Sequence, residues 1–252
     1  MRIAVITPYY KEPTAVLRRC YDSVKAQTHA VTHFMLSDGY PNPEVDNWDV
    51  VHIKLPAHGD SGDTPRAIGA LSSSAMGFDA ISLLDADNWF DSDHIASLVA
   101  VQQQTGVQVV TCTRTLRRED ESILGVCVES DGQRFNDTNC YLIMQSVFYA
   151  FSAWGFKDPR LGVVGDQIFW NNLVRAKFTR AHYRRPTVNY VTLFGNHYVV
   201  RGETPPPNAK GILETTPGQF KLMPYTEYVA IMEARGQTFH MKKDPVLGSI
   251  KP

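Results

Sequence analysis

The spacing of apolar and polar residues changes along the chain, and each change marks an element. Residues 2–7 form a run of β-branched and small apolar side chains closed by Pro8, the pattern of a buried strand. From Pro13 the period becomes helical. Val16, Leu17, Cys20, Tyr21 and Val24 recur at i, i+3, i+4 and predict a helix over 13–27, with Pro13 at its first position. Short strands are predicted at 31–36, closed by Ser37-Asp38-Gly39, and at 50–55. Residues 64–76 predict a helix with Pro65 near its start. Residues 80–84 predict a fourth strand running into Asp85-Ala86-Asp87-Asn88, and 94–104 a helix capped by Asp91 or Ser92. This alternation within about 105 residues implies a largely parallel sheet covered by helices on both faces, with functional groups at the carboxyl ends of the strands.

Beyond residue 105 the pattern loosens. Strands are predicted at 107–113 and 122–128, separated by the charged turn Arg117-Arg118-Glu119-Asp120, with a further apolar run at 140–144. Residues 146–154 and 166–178 read as helices and 186–193 as a last strand. The stretch 204–218, with Pro205-Pro206-Pro207, reads as a loop, followed by a short helix at 225–234. There is no internal repeat. The second half therefore reads as the continuation of one domain.

Composition narrows the class. Of 252 residues, 43% are hydrophobic and 20% charged, enough to bury a full core. The 25 Lys+Arg against 26 Asp+Glu leave a net charge of -1, which excludes bulk attraction to nucleic acid or anionic lipid. No apolar run approaches the roughly 18 residues of a membrane-spanning helix, and the amino-terminal apolar stretch is too short for a signal peptide. Cys20, Cys112, Cys127 and Cys140 lack CxxC spacing and sit in apolar segments. They predict buried free thiols in a reducing compartment, hence a cytoplasmic protein, with peripheral membrane association as a variant.

The sharpest chemical feature is Leu83-Leu84-Asp85-Ala86-Asp87-Asn88. In extended backbone, residues i and i+2 face the same side, so Asp85 and Asp87 would share one crevice. Two close carboxylates repel, and a divalent cation between or beside them resolves this; such a cation commonly carries a diphosphate.

Five segments in order resemble the family 2 glycosyltransferases of the GT-A fold. They are Thr7-Pro8-Tyr9-Tyr10 after the first strand, Ser37-Asp38-Gly39-Tyr40 after the second, and Arg66-Ala67-Ile68-Gly69 on the following helix. Asp85-Ala86-Asp87 follows, and then Trp154-Gly155-Phe156-Lys157-Asp158 with Gly165-Asp166. The likeness covers residues 2 to about 200. The chain departs from the family pattern at Tyr10 (usually Asn), Ser37 (Asp), Ala67 (Asn) and Gly165 (the Glu of a Glu-Asp pair).

The resemblance implies an α/β, GT-A-like and Rossmann-related fold: a mostly parallel central sheet flanked by helices, with a smaller acceptor-side part. It implies a catalytic domain over 1–204, with a nucleotide-sugar half (1–105) and an acceptor half (106–204), and a Pro-rich loop and tail over 205–252. The implied activity is metal-dependent, hexosyltransferase-type transfer of a sugar from a UDP- or GDP-sugar to an acceptor hydroxyl, with inversion. Alternatives are a nucleotidyltransferase acting on sugar phosphates, or a degenerate nucleotide-sugar-binding protein.

The nucleotide would be held by Thr7, Pro8, Tyr9, Asp38, Arg66 and Asp85, although Asp38 before glycine also suits an Asx-turn and Tyr9 plain packing. Asp87 would ligate the metal, with His197 completing the set and His182 second in line. A carboxylate-plus-imidazole set favours manganese over magnesium. Asp166 would be the general base, with Asp158 in reserve. Trp89, Trp154, Trp170, Phe194 and Tyr198 are candidates for a sugar-stacking platform. Acceptor selectivity would lie in the loops at 114–121, 129–139 and 194–218.

Overall fold

A computed structural model describes residues 1–158, 161 and 164–210. The predicted 225–234 helix lies outside them. Strands β1 (Ile3–Tyr9), β2 (Val31–Asp38), β3 (Val51–Leu55), β4 (Ala80–Leu83), β5 (Trp89–Phe90), β6 (Val109–Arg117), β7 (Ile123–Val126), β8 (Tyr141–Met144) and β9 (Arg180–Val191) form one sheet. Its order is β3-β2-β1-β4-β8-β6-β9-β5, with β7 paired to β6. The ladders β3/β2, β2/β1, β1/β4 and β6/β9 are parallel, while β8, β5 and β7 pair antiparallel to their neighbours. The sheet is therefore mostly parallel. Helices α1 (Thr14–Lys25), α2 (Asp63–Ala75), α3 (His94–Thr105), α4 (Ser152–Gly155), α5 (Gly165–Arg175) and α6 (Gly195–Val199) accompany it. No described helix is long and apolar enough to cross a membrane.

Strand β1 explains its own apolar run. All seven of its residues are buried, because it lies mid-sheet with helices on both faces. Ala4 and Ile6 join Phe34, Leu36, Ile81 and Leu83 under α2, α4 and α5. Ile3 and Val5 point the other way, toward Cys20 and Val24 of α1 and Ile95 and Leu98 of α3. At Gly69, α2 comes so close to the sheet that an added Cβ would stand 2.7 Å from Ile6 Cγ2 and 3.1 Å from Leu36 Cδ1. All four cysteines are buried free thiols, as their apolar settings implied.

The boundaries differ from expectation where local chemistry competes. Pro13 does not open α1 but precedes it in extended backbone (ψ 146). The 146–154 segment divides into a 3-10 turn, Gln145–Phe151, followed by α4. The predicted strand at 186–193 is the second half of the longer β9. The first half, Arg-Ala-His-Tyr-Arg-Arg, carries too few apolar side chains to be seen as a strand. β5, α6 and a 3-10 turn at Pro43–Asn47 have no periodic signal. The carboxyl end of β4 does not continue extended through Asp87. The Asn88 N–H donates to the Asp85 carbonyl at 3.0 Å, so 85–88 is a tight turn.

Gly69→Val should lower unfolding stability by about 2 kcal/mol through overpacking and poorer helix propensity. Urea denaturation checks this; an unchanged midpoint would mean α2 does not seat on β1 at this distance.

Candidate active site at the carboxyl ends of the strands

A buried chain of charges crosses the carboxyl edge of the sheet. In the first turn of α2, Asp63 lies 2.6 Å from Lys157 Nζ and accepts from Arg66 Nη1 at 3.1 Å. Arg66 Nη1 also donates to the Ser61 carbonyl (2.9 Å), and its Nη2 pairs with Asp85. Asn139 Nδ2 donates to Asp85 (2.9 Å) and to Asp137 (2.8 Å), and Asp137 pairs with Arg114. Asp63, Arg66, Arg114, Asp137 and Lys157 are each less than a tenth exposed. Such charges are tolerated only when every member is partnered. Arg66 is therefore neither a free fork for phosphate nor a solvated helix arginine. Asp85 is likewise engaged at both oxygens, by Arg66 and Asn139.

Asp87 stands outside this chain. The turn that carries it is fixed by Arg19 Nη2, which donates to its carbonyl at 2.6 Å, and by Val191 N–H, which donates to Asn88 Oδ1 at 2.8 Å. Its side chain keeps a face open to solvent, yet protein surrounds it on the other sides. Loss of water, together with the Asp85 and Glu12 carboxylates, pushes its pKa up to about 7; Lys210 opposes the shift. Glu12, just beyond β1, accepts from Tyr10 N–H at 2.6 Å. The Asp85 and Glu12 charges thus both act on Asp87, though among the described residues the three carboxylates do not all come within 4.8 Å of one another.

Asp166 sits in the first turn of α5, half-buried, and accepts from Gln167 N–H at 2.7 Å. Desolvation and the Asp137 charge push its pKa up to about 7. Beside it, a Cβ on Gly165 would collide with the Asp63 carboxylate. Gly165 is thus a glycine because Asp63, pinned by Lys157 and Arg66, occupies the space its side chain would need. Trp154, stacked on Phe169 at 4.2 Å, anchors the same point by donating from Nε1 to the Gly165 carbonyl at 2.8 Å.

The remaining predicted site residues are distributed as follows. The Thr7 side chain is enclosed, with Oγ1 2.9 Å from His33 Nε2. Pro8 is buried against Gly62, which leads into α2. Tyr9 is buried among Leu17, Met35, Val45 and Trp48, its hydroxyl 2.6 Å from His52 Nε2, so packing accounts for it. Asp38 accepts from the backbone N–H groups of His58 (2.7 Å) and Gly59 (3.3 Å) and shapes the loop before α2. Asp158 is buried. Trp154, Trp170 and Tyr198 are enclosed, and Arg19 covers the Trp89 ring at 4.3 Å. Of the five aromatics, Phe194 alone is well exposed.

His197 forms no three-ligand group with Asp87 among the described residues. Among the described residues the metal-ligating side chains around it are Cys127 and Glu129. The expectation of His197 as partner to Asp87 is corrected accordingly: the three residues 192–194 lead from β9 into α6, and Arg201, just past α6, donates to the Val126 carbonyl of β7. Both ring nitrogens of His182 are taken by Thr111 (2.8 Å) and Thr113 (3.1 Å).

Sequence reading missed Glu12, Tyr10, Lys11 and Tyr40. The Tyr10 and Tyr40 rings meet edge-to-face at 4.7 Å, both well exposed, with Lys11 Nζ 4.1 Å above Tyr40.

No family model and no curated protein matches the chain. Solved structures do. The crystal structure of S. aureus TarS aligns with a TM-score of 0.59 at 11% identity, over 79% of this chain and 38% of that one. TarS 1-349 in complex with UDP gives 0.59 at 11%, over 79% and 63%, and its complex with UDP-GlcNAc 0.57 at 9%, over 76% and 59%. The chain thus spans less than two thirds of each of these structures. The likeness is one of fold: the GT-A-like sheet expected from the family 2 resemblance is the architecture these structures share.

Gly165→Ala should destabilise the protein by about 1–3 kcal/mol. In an Asp63→Ala background the same change should cost markedly less, because the collision is gone. Equal costs in the two backgrounds, from denaturant melts, would mean that Asp63 is not what requires the glycine.

Proposed function

We propose that the chain is a cation-dependent glycosyltransferase that moves a sugar from a UDP-sugar to an acceptor hydroxyl with inversion. The observation that carries this reading is the placement of Asp87 on the turn after β4, under the charges of Asp85 and Glu12, in the crevice where sheets of this kind take nucleotides. The UDP and UDP-GlcNAc complexes of TarS support it through the shared fold.

The donor set at Asp87 is all oxygen, which fits a hard divalent ion. Without an imidazole there, the reason for preferring manganese lapses, and magnesium suits the site as well. Asp87 would hold the ion with Glu12 beside it; the bound ion offsets charge on the diphosphate leaving group. Tyr10 and Tyr40 offer exposed ring faces to the base, and Lys11 a cation beside them. Asp85, held by Arg66 and Asn139, acts by setting the turn that aims Asp87.

Asp166 is the base that takes the acceptor hydroxyl's proton. A carboxylate titrating near 7 is well matched to this task, since it is strong enough to accept the proton yet ionised under working conditions. Because the base must be ionised, turnover should rise with pH through about 7. Asp166→Asn should lower kcat by at least ~100-fold and leave UDP affinity intact. Unchanged turnover would remove Asp166 from the mechanism.

The same substitution has a stability signature. The folded pKa of Asp166 is raised, so its ionisation opposes folding, and the penalty grows as pH climbs from the unfolded carboxylate range through about 7. Asp166→Asn should therefore stabilise the protein at pH 8 by at least about 1 kcal/mol and have little effect at pH 4. Asp87→Ala should abolish cation-dependent UDP binding in isothermal titration while leaving the fold intact. UDP binding that is indifferent to both the cation and this substitution would overturn the reading.

A further inference from the structure

Three potential ligands meet away from Asp87. Cys127 follows the end of β7, Glu129 lies two residues on, and His197 sits in α6. One ligand atom from each lies within 4.8 Å of the others. Together with Arg201 they line a hole of about 10 Å³, room for one water-sized sphere. Cys127 and His197 are buried, and the Glu129 side chain is about half exposed (51%), leaving one side open.

The orientation of His197 is set from behind. Its Nδ1 lies 2.6 Å from Thr192 Oγ1, which holds the ring with Nε2 facing Glu129 Oε2 at 3.3 Å. An imidazole held at one nitrogen by a polar group, with the other turned to a carboxylate that could share an ion with it, is an arrangement that metal-binding histidines use. The 3.3 Å separation is long for a charge-assisted hydrogen bond. It matches the edge of a tetrahedron whose N and O ligands each stand about 2.0–2.2 Å from a zinc-sized ion, roughly 3.3–3.5 Å.

We propose that Cys127 Sγ, Glu129 and His197 Nε2 form a second divalent-cation site, of the zinc class, distinct from the crevice at Asp87. A thiolate and an imidazole select borderline-soft ions over magnesium and manganese. Binding M²⁺ displaces the Cys127 thiol proton to solvent and forms the S–M bond. The thiolate and the carboxylate then balance the ion's two charges. Arg201 donates from Nη1 to the His197 carbonyl at 2.8 Å and from Nη2 to the Val126 carbonyl, so its guanidinium at the edge of the hole is held by backbone oxygens. Water through the open side completes four-coordination. The ion ties the end of β7 to α6, the segment that turns Phe194 toward solvent. The proposal does not depend on the transfer reaction.

The test uses full-length Asp87→Ala protein, which removes the other crevice from the count. After chelation and exchange into metal-free buffer, zinc and cobalt are titrated in separately. One equivalent of zinc should bind, magnesium should not compete, and cobalt should produce the near-ultraviolet charge-transfer band of a thiolate ligand. Cys127→Ser should abolish the band and weaken zinc binding by at least about tenfold. Glu129→Gln, at a half-exposed position the fold tolerates, should weaken zinc binding by a similar factor while keeping the band. Absence of the band, or zinc affinity unchanged in both variants, would overturn the proposal. Loss of UDP binding at Asp87 would leave it standing.

Discussion

The structure depends on a line of buried charges, each facing an opposite charge. Lys157, Asp63, Arg66, Asp85, Asn139, Asp137 and Arg114 alternate donor and acceptor across the top of the sheet. Removing one member would strand its neighbours in a poorly hydrated place, which costs more than the intact pair gains. The line draws its members from α2, the β4 turn, β6, the approach to β8 and the approach to α5. Those elements must meet in one geometry for the charges to be satisfied. Polar pairing here does what apolar packing cannot, because it specifies direction as well as proximity.

That constraint separates the two aspartates of Asp-x-Asp. Asp85 is drawn into the line and spends both oxygens on protein. Asp87, two residues on and carried round a tight turn, is left facing the cleft, with Asp85 and Glu12 close enough to raise its proton affinity. The same line reaches the other side of the cleft. Asp63 sits where a side chain on residue 165 would be, and its charge together with that of Asp137 bears on Asp166. The Glu that the family pattern puts before Asp166 is thus absent from the sequence while a carboxylate is present in its space, supplied by α2.

How far the sequence could be read follows from these interactions. Strands β1, β2 and β4 were legible because burial on both faces writes continuous apolar runs, edge strand β3 through its alternating Val51, Ile53 and Leu55, and helices α1 to α3 because burial on one face writes the 3.6 period. Half of β9 was not, since its Arg, His and Tyr side chains pair with partners such as Asp93 and Thr111 instead of filling a core. Asp87 and Asp166 were legible as motif positions. Arg66 was found, but its pairings were not legible, because its partner Asp85 lies 19 residues away and Lys157, which shares Asp63 with it, lies 91 away. Spacing along the chain gives no hint of such pairs. His197 was placed with Asp87 by analogy, whereas α6 carries it to Glu129 and Cys127.

The central claim is that the end of β4 presents Asp87, freed by the engagement of Asp85, to a cation and the diphosphate it carries. Anomalous diffraction from crystals grown with UDP and manganese tests it most directly. The expected result is a manganese peak in coordination distance of Asp87, with the UDP diphosphate on the ion and Asp85 still paired with Arg66 and Asn139. UDP bound with no peak at Asp87, or Asp85 leaving Arg66 to take the ion instead, would contradict it.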